Sequence, residues 1–410
     1  MNVVPAKTNT TTATCPACGL LCDDVVIDNN QQKIRVLANG CAKGITFFEQ
    51  PINDIKPQIN GKQATMQQAI AHAVCLLKAS QQPLFAGLST DVAGFRSLYH
   101  LSQKTNGSLQ HMNASSMARN MKVLQSTGWQ TTTLTEVKNR ADVIVCIGSD
   151  IVSHNPRFFE RFVDVEGMFA GGKISKREVI YLGLEHAPKG ARLLPCKADR
   201  LPEVLAALRA LVLGKTLKAE TIAGIKASDL QALTDKLKAA KYAVLAWVAK
   251  DLDFPHAELA IQQITQIVAV LNQTTRASGL PLGGSDGDTS ANYTHTWLNG
   301  VVLDDVLEAN IHAASSLSNH DTVVWINSFS AEKFPPKSDV PLIVLSNANT
   351  IFTQTPDVFI PIATPGLDSS GTLFRVDGAV ILPLKKVREN NLPTLADICT
   401  LINKQLIKSL

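Results

Sequence analysis

Hydrophobic and polar positions divide the chain into a short N-terminal stretch and a long body of different rhythm. Residues 14 to 50 read as a small β-rich module. Val25 to Ile27 and Lys33 to Leu37 are expected to pair as strands across Asp28-Asn29-Asn30, a turn-forming run. From residue 65 helix and strand patterns alternate. Met66 to Lys78 carries apolar residues at helical spacing, and Pro83 to Ser89 is a short apolar strand. Thr90 or Asp91 is placed to cap the helix that follows. Ala141 to Asp150 contains the clearest strand, apolar on both faces as a central parallel strand must be. Glu178 to Leu184 reads as another strand and Leu201 to Leu213 as a helix. The theme repeats with strands at Tyr242 to Val248, Asp321 to Ile326, Pro341 to Leu345 and Val358 to Ile362, and a helix at Ala257 to Leu271. Alternation of this kind predicts an α/β fold with doubly wound parallel sheets in two Rossmann-like halves, behind the N-terminal module. The expected domains are 1–60, 61–225 and 226–410. The second boundary falls in the Lys- and Ala-rich interval 215 to 240, which reads equally as a surface helix pair.

At 410 residues the chain is longer than one hydrophobic core supports, which fits several domains or subdomains. Its hydrophobic fraction of 45% is ordinary for a globular protein. The net charge of +4 is not gathered into runs, which argues against nucleic acid and membrane surfaces as partners. Met1 to Thr14 is polar and Thr-rich, unlike a secretory signal, and no run of about 18 apolar residues offers a membrane span. Cys75, Cys146, Cys196 and Cys399 are scattered in apolar contexts. They read as buried thiols of a cytoplasmic protein, not as a disulfide framework.

The candidate chemistry is concentrated at the start of the chain. Cys15, Cys18 and Cys22 are spaced C-x2-C-x3-C, and a fourth thiol, Cys41, follows after eighteen residues. The predicted hairpin would return Cys41 to the first three. Zinc usually takes two close pairs of ligands, so this rhythm suits a cubane iron–sulfur cluster, held by four thiolates, better. Structural zinc and four unrelated thiols are the alternatives. Gly19 and Gly40 would let the backbone bend close to the sulfurs. The Asp23-Asp24 pair beside them reads as solvated.

Open α/β sheets bind ligands beyond the carboxyl ends of their strands. Three segments are candidates for that position: Gly87 to Thr90, Gly148 to Arg157, and Ser278 to Asp288. None carries a phosphate-loop or dinucleotide fingerprint, and His154 and Arg157 have ordinary structural readings there. No Ser-, His- or metal-based hydrolytic motif stands out.

These features together resemble the family of formylmethanofuran dehydrogenase B-subunits, within the molybdopterin oxidoreductase superfamily. The resemblance rests on Cys15 to Asp24, Asn39-Gly40-Cys41, Glu136 to Ile144, the Asn155-Pro156-Arg157 turn, and Gly371 to Gly378. It implies a molybdopterin oxidoreductase-like fold, with a 4Fe-4S cluster on Cys15, Cys18, Cys22 and Cys41. Family members also carry a molybdenum or tungsten bis-pterin, whose metal is bound by a Cys followed directly by a His, with a catalytic Arg elsewhere.

Here the matching positions hold Met117 and Ala118, and the Arg position holds Gly283. A thioether is a poor ligand for a hard oxidised metal, and alanine moves no proton. The bis-pterin is therefore expected to be absent and the chain catalytically silent. That combination resembles the B-subunit of the bacterial formyltransferase/hydrolase complex, in which other subunits transfer and hydrolyse the formyl group. The implied role is a non-catalytic scaffold in tetrahydromethanopterin-linked oxidation of formaldehyde to formate. The implied partners are a hydrolase subunit, a transferase subunit and a further structural subunit. The competing readings are a redox-active dehydrogenase subunit and a free-standing iron–sulfur electron carrier.

Overall fold

The computed structural model describes residues 10–30, 33–51, 53–169, 177–186, 191–303, 320–335 and 337–408. The chain begins with β1 (Thr10–Ala13), β2 (Val25–Asn30) and β3 (Lys33–Ala38), a three-stranded antiparallel sheet in that order. The expected hairpin forms, but Asp28, Asn29 and Asn30 continue β2, opposite Arg35, Ile34 and Lys33. The ladder thus runs on to the pair Asn30 and Lys33, and the connection falls at 31–32, outside the described residues. The polar run Thr10–Ala13 adds a third strand by pairing with Val25–Asp28. A short helix, α1 (Ala42–Phe48), follows Cys41 and buries Phe47 and Phe48.

Next come the small hairpin β4 (Gln58–Ile59) and β5 (Lys62–Gln63), then α2 (Met66–Ala79), β6 (Pro83–Ser89), α3 (Val92–Thr105) and β7 (Ser108–His111). Thr65 and Gln68 form a capping box that fixes the start of α2. Asp91 caps α3, its carboxylate accepting from the N–H groups of Ala93 and Gly94. Helix α2 turns Ala69, Ile70, Ala73, Val74 and Leu77 inward. Cys75 lies off that stripe and is exposed, contrary to the expectation of a buried thiol, whereas Cys146, Cys196 and Cys399 are buried.

The chain then builds a second sheet. Its elements are α4 (Ala114–Ser126), α5 (Leu134–Arg140), β8 (Val143–Ile147), α6 (Ile151–His154), β9 (Glu178–Leu182), β10 (Arg192–Leu194), α7 (Leu201–Val212), the hairpin β11 (Thr221–Ile222) and β12 (Ile225–Lys226), α8 (Ala227–Ala239), β13 (Ala243–Val248), α9 (Ala257–Leu271) and β14 (Ala277–Leu282). The last stretch returns to the first sheet with α10 (Asp288–Asn299), β15 (Thr322–Asn327), β16 (Leu342–Asn347), β17 (Val358–Ile362), the hairpin β18 (Gly371–Phe374) and β19 (Ile381–Leu384), and α11 (Leu395–Lys408).

Two compact units result. The first comprises 1–114, 284–375 and 380–410; the second comprises 115–283 and 376–379. In the first unit the sheet order is β5-β4-β17-β16-β15-β6-β7, with β17 to β7 all parallel and the small hairpin antiparallel at the edge. In the second it is β10-β9-β8-β13-β14, parallel throughout. Each winding reverses once, between β6 and β15 and between β8 and β13, so both sheets are doubly wound as expected. Every residue of β6, β8, β13, β15, β16 and β17 is buried, the signature of parallel strands covered on both faces.

The sequence-based boundary at 225/226 falls inside the second unit, within the β11–β12 hairpin, and 60/61 falls inside the first. The Lys- and Ala-rich interval is a hairpin and the surface helix α8, with Leu230, Leu233, Thr234 and Leu237 turned inward. Of the Ser278-to-Asp288 segment, residues up to Leu282 belong to β14, and the loop starts only at Gly283.

A buried ion pair ties the C-terminal part of the first unit together. Arg388 Nε donates to Asp368 Oδ1 at 2.8 Å, and Arg388 Nη1 to the Gln50 carbonyl at 2.8 Å. Asp368 also accepts from the Thr364 N–H and the Asn390 amide. Both charged side chains are about 5% exposed or less. Removing one charge strands the other, so Asp368→Ala is expected to cost about 3–5 kcal/mol of stability. Chemical denaturation of the purified protein measures it; a loss under about 1 kcal/mol would contradict the role given to the pair.

Candidate functional site

The first unit gathers the four N-terminal thiols on one small scaffold. Cys15, Cys18 and Cys22 are buried and Cys41 is half-buried. The loop carrying the first three is closed by Cys15 N–H on the Cys22 carbonyl at 2.8 Å and by Leu21 N–H on the Cys18 carbonyl at 3.2 Å. Its left-handed residue is Leu21, with φ 45°. Cys41 caps α1, its carbonyl accepting the Ile45 N–H at 2.9 Å.

The glycine that makes room for sulfur is Gly44. A Cβ there would stand 3.3 Å from Cys15 Sγ and 3.9 Å from Cys41 Sγ. Gly40, which the sequence suggested for this part, is instead pressed against Val36, whose Cγ1 a Cβ would meet at 2.3 Å.

Burial pushes the Cys15 thiol well above its ordinary range and that of Cys18 up to about 11. The remaining thiols of the set add to both shifts by mutual repulsion, so all four lie within electrostatic reach of one another. Among the described residues no group of three or more His, Cys, Asp or Glu converges on a point that a single metal ion could occupy. A lone zinc holds its sulfurs at about 2.3 Å and so needs them about 4 Å apart. The donor set, its burial and the Gly44 cradle are chemically those of a thiolate-held group.

The same unit gathers buried polar groups where its sheet reverses. Ser328 N–H donates to the Ser89 carbonyl at 2.7 Å, just beyond the carboxyl ends of β15 and β6. Among the described residues the hydroxyls of both serines are buried without a partner. Gly371, at the head of β18, packs on the Asp91 carboxylate; a Cβ there would lie 2.9 Å from it. Gly371 is the first residue of the Gly371-to-Gly378 run of the family resemblance.

The second unit holds the three substituted positions. Met117 and Ala118 lie on α4. Ala118 is buried and Met117 is half-buried. The next residue, Arg119, is buried and donates to the Ala249 carbonyl at 2.8 Å and to Asp253. Ala249 follows β13, and Gly283 follows the neighbouring β14, whose Leu282 is in register with Val248. Arg119 and Gly283 are thus anchored at the same end of the sheet.

Gly283 is held by Asn155, whose Oδ1 accepts the Gly283 N–H and whose Nδ2 donates to the Gly283 carbonyl, both at 2.8 Å. This bidentate clasp gives the Asn155-Pro156-Arg157 turn a structural role that sequence reading missed. Arg157 is spent on Glu160, and His154 Nε2 sits 2.6 Å from Asp251 Oδ1.

Gly283 has φ 100°, and a Cβ would meet Val248 Cγ1 at 3.1 Å. The loop is shaped for glycine.

No family model matches the chain. Among individual proteins, it is 26% identical over 404 residues to the B-subunit of a tungsten-containing formylmethanofuran dehydrogenase 2 of Methanococcus maripaludis, covering 91% of this chain and 92% of that protein. It is 25% identical over 372 residues to the B-subunit of the formyltransferase/hydrolase complex of Methylorubrum extorquens, covering 85% of this chain and 98% of that protein. The chain is thus similar, along most of its length, both to formylmethanofuran dehydrogenase B-subunits and to the B-subunit of a formyltransferase/hydrolase complex. The fold agrees with that relationship. A crystal structure of the Methylorubrum extorquens formyltransferase/hydrolase complex with methylofuran superposes with a TM-score of 0.74 at 23% identity, over 86% of this chain and 99% of the matched one. Acetylene hydratase of Pelobacter acetylenicus shares the fold, with a TM-score of 0.61 at 10% identity over 96% of this chain and 69% of the matched one.

Two outcomes are expected. Gly283→Arg should lower stability by about 1–3 kcal/mol, since it forces a side chain onto a left-handed backbone; thermal unfolding against wild type checks this, and an unchanged midpoint would mean the loop adapts freely. In iron-free protein, iodoacetamide followed by peptide mass spectrometry should modify exposed Cys75 well before Cys15 and Cys18, which are buried and hold their protons. Faster labelling at Cys15 or Cys18 would contradict their enclosure.

Proposed function

We propose that this chain is a non-catalytic scaffold component of a cytoplasmic formyltransferase/hydrolase complex, serving tetrahydromethanopterin-linked oxidation of formaldehyde to formate. The observation that carries the reading is the joint state of Met117, Ala118 and Gly283. Where the dehydrogenase family has a metal thiolate, a His and an Arg, this chain has a thioether, a methyl group and a left-handed glycine. A half-buried thioether does not fit a molybdenum or tungsten centre. The near-complete length match to the B-subunit of such a complex supports the same reading. Its partners would then be the hydrolase, transferase and further structural subunits.

Cys15, Cys18, Cys22 and Cys41 would hold a 4Fe-4S cluster. The donor set, its burial and the cradle at Gly44 support that assignment. In a complex without redox chemistry such a cluster cross-links its own module, since ligand binding by a folded site adds to folding free energy. Because burial keeps the Cys15 and Cys18 thiols protonated when free, loading must release their protons.

The test is elemental analysis and spectroscopy on the intact complex, purified anaerobically. About four iron atoms per chain, a reduced-cluster signal after dithionite, and no molybdenum or tungsten are expected. Stoichiometric molybdenum or tungsten would favour the dehydrogenase reading, which the 26% identity to a tungsten enzyme keeps in view. Absence of both iron and signal would remove the cluster. Met117→Cys should leave formate production unchanged and restore no dehydrogenase activity, because catalytic groups that act as a unit return little when restored singly.

A further inference from the structure

His111 ends β7 and is 1% exposed, yet both ring nitrogens are engaged. The Asn113 backbone N–H lies 3.0 Å from Nδ1, and Nε2 lies 3.2 Å from the Asp286 carbonyl oxygen. An N–H can only donate, so Nδ1 must be bare; a carbonyl can only accept, so Nε2 must carry the proton. The neutral ring satisfies both contacts. A second proton would set N–H against N–H at Asn113.

The segment that His111 holds is fixed from several sides within the first unit. The Asn113 side-chain amide donates to Ser285 Oγ at 3.1 Å and to Asp288 Oδ2 at 3.2 Å. Lys333 pairs with the Asp286 carboxylate. Gly287 runs so close to Thr90 that a Cβ would lie 2.4 Å from the Thr90 carbonyl oxygen. The Gly284 carbonyl accepts the Gly19 N–H at 2.7 Å, next to Cys18.

We infer that His111 is an acid-released latch on the loop 284–288 and, through the Gly284 carbonyl, on the turn that carries Cys18. The charged groups facing the ring are Asp286, Asp288 and Lys333. The two carboxylates favour the imidazolium and the ammonium opposes it, but burial outweighs them and holds the ring's pKa below its ordinary value of 6.5. The latched state therefore prefers the neutral ring, while a loop that has swung open exposes an ordinary imidazole. Below about pH 6.5 the open state binds the extra proton. Opening then grows about tenfold per pH unit, until the latched ring itself titrates. At neutral pH the latch is closed. The inference is independent of whether the chain serves a transferase complex, because it uses only contacts among these residues.

Hydrogen exchange by mass spectrometry on the purified full-length protein tests it, with rates corrected for the intrinsic pH dependence of exchange. Between pH 7.5 and 5.5, protection in the peptide spanning 284–288 should fall about tenfold, while that of β15 stays constant. His111→Gln keeps an amide donor near the position of Nε2 but cannot titrate, so its loop protection should not vary over this range. Unchanged wild-type protection down to pH 5.5 would overturn the latch. So would an equal fall in His111→Gln, which would assign the sensitivity to another group.

Discussion

The pairing of β6 with β15 is the constraint on which the architecture depends. The two strands come from opposite halves of the chain, lie parallel from Thr322 against Pro83 onward, and are buried along their whole length. Among the described residues, β6 is also the only strand partner of β7, and β15 the only link to β16 and β17. Without this ladder the seven-stranded sheet of the first unit falls into two pieces. Everything in the second unit except its short 376–379 segment lies between the two strands in sequence. Loop-closure entropy grows only with the logarithm of length, so inserting a whole parallel sheet there adds little to the closing cost. It does place the decisive contact late in the chain, which predicts slow, non-local folding of the first unit.

That constraint also explains what the sequence reading could and could not reach. β6, β13, β16, β17, α7 and α9 were visible within a residue or two, because continuous apolar runs and helical spacing are local signals. Partnership is not local. Nothing in the composition of residues 83–89 says that they will lie beside 322–327, so the chain was cut in sequence order, whereas the two sheets are interleaved. Short edge elements such as β10, β18 and β19 are held by their neighbours and carry too few residues to show a period. Asp28 to Asn30 misled for a related reason: turn-prone residues extend a strand when a partner is there to pair with them.

The candidate site divides along the same line. The four cysteines announce themselves by spacing, and the substitutions at 117, 118 and 283 by comparison with a motif. The residues that shape the surroundings were invisible. Gly44 matters because two sulfurs approach it, Asn155 because it clasps Gly283 across the unit, and His111 and Asn113 because they meet a loop far along the chain. Each of these roles is a relation between distant segments, and a lone Gly, Asn or His in sequence carries no trace of it.

The clasp at Gly283 bears on why a scaffold can persist without its chemistry. Catalytic side chains sit on helix starts and loops above a sheet, and the sheet's stability comes from apolar burial beneath them. Here the loop is specified by backbone: Asn155 satisfies both polar groups of Gly283, and the left-handed conformation excludes a side chain. Such a loop keeps its shape through hydrogen bonds that no catalytic residue needs to supply. On the proposed reading, loss of an Arg at this position and of a thiolate at Met117 removed nothing that the fold was using. The buried ladders and the Arg388–Asp368 pair use none of those positions, so they hold the fold whether or not the chemistry is present.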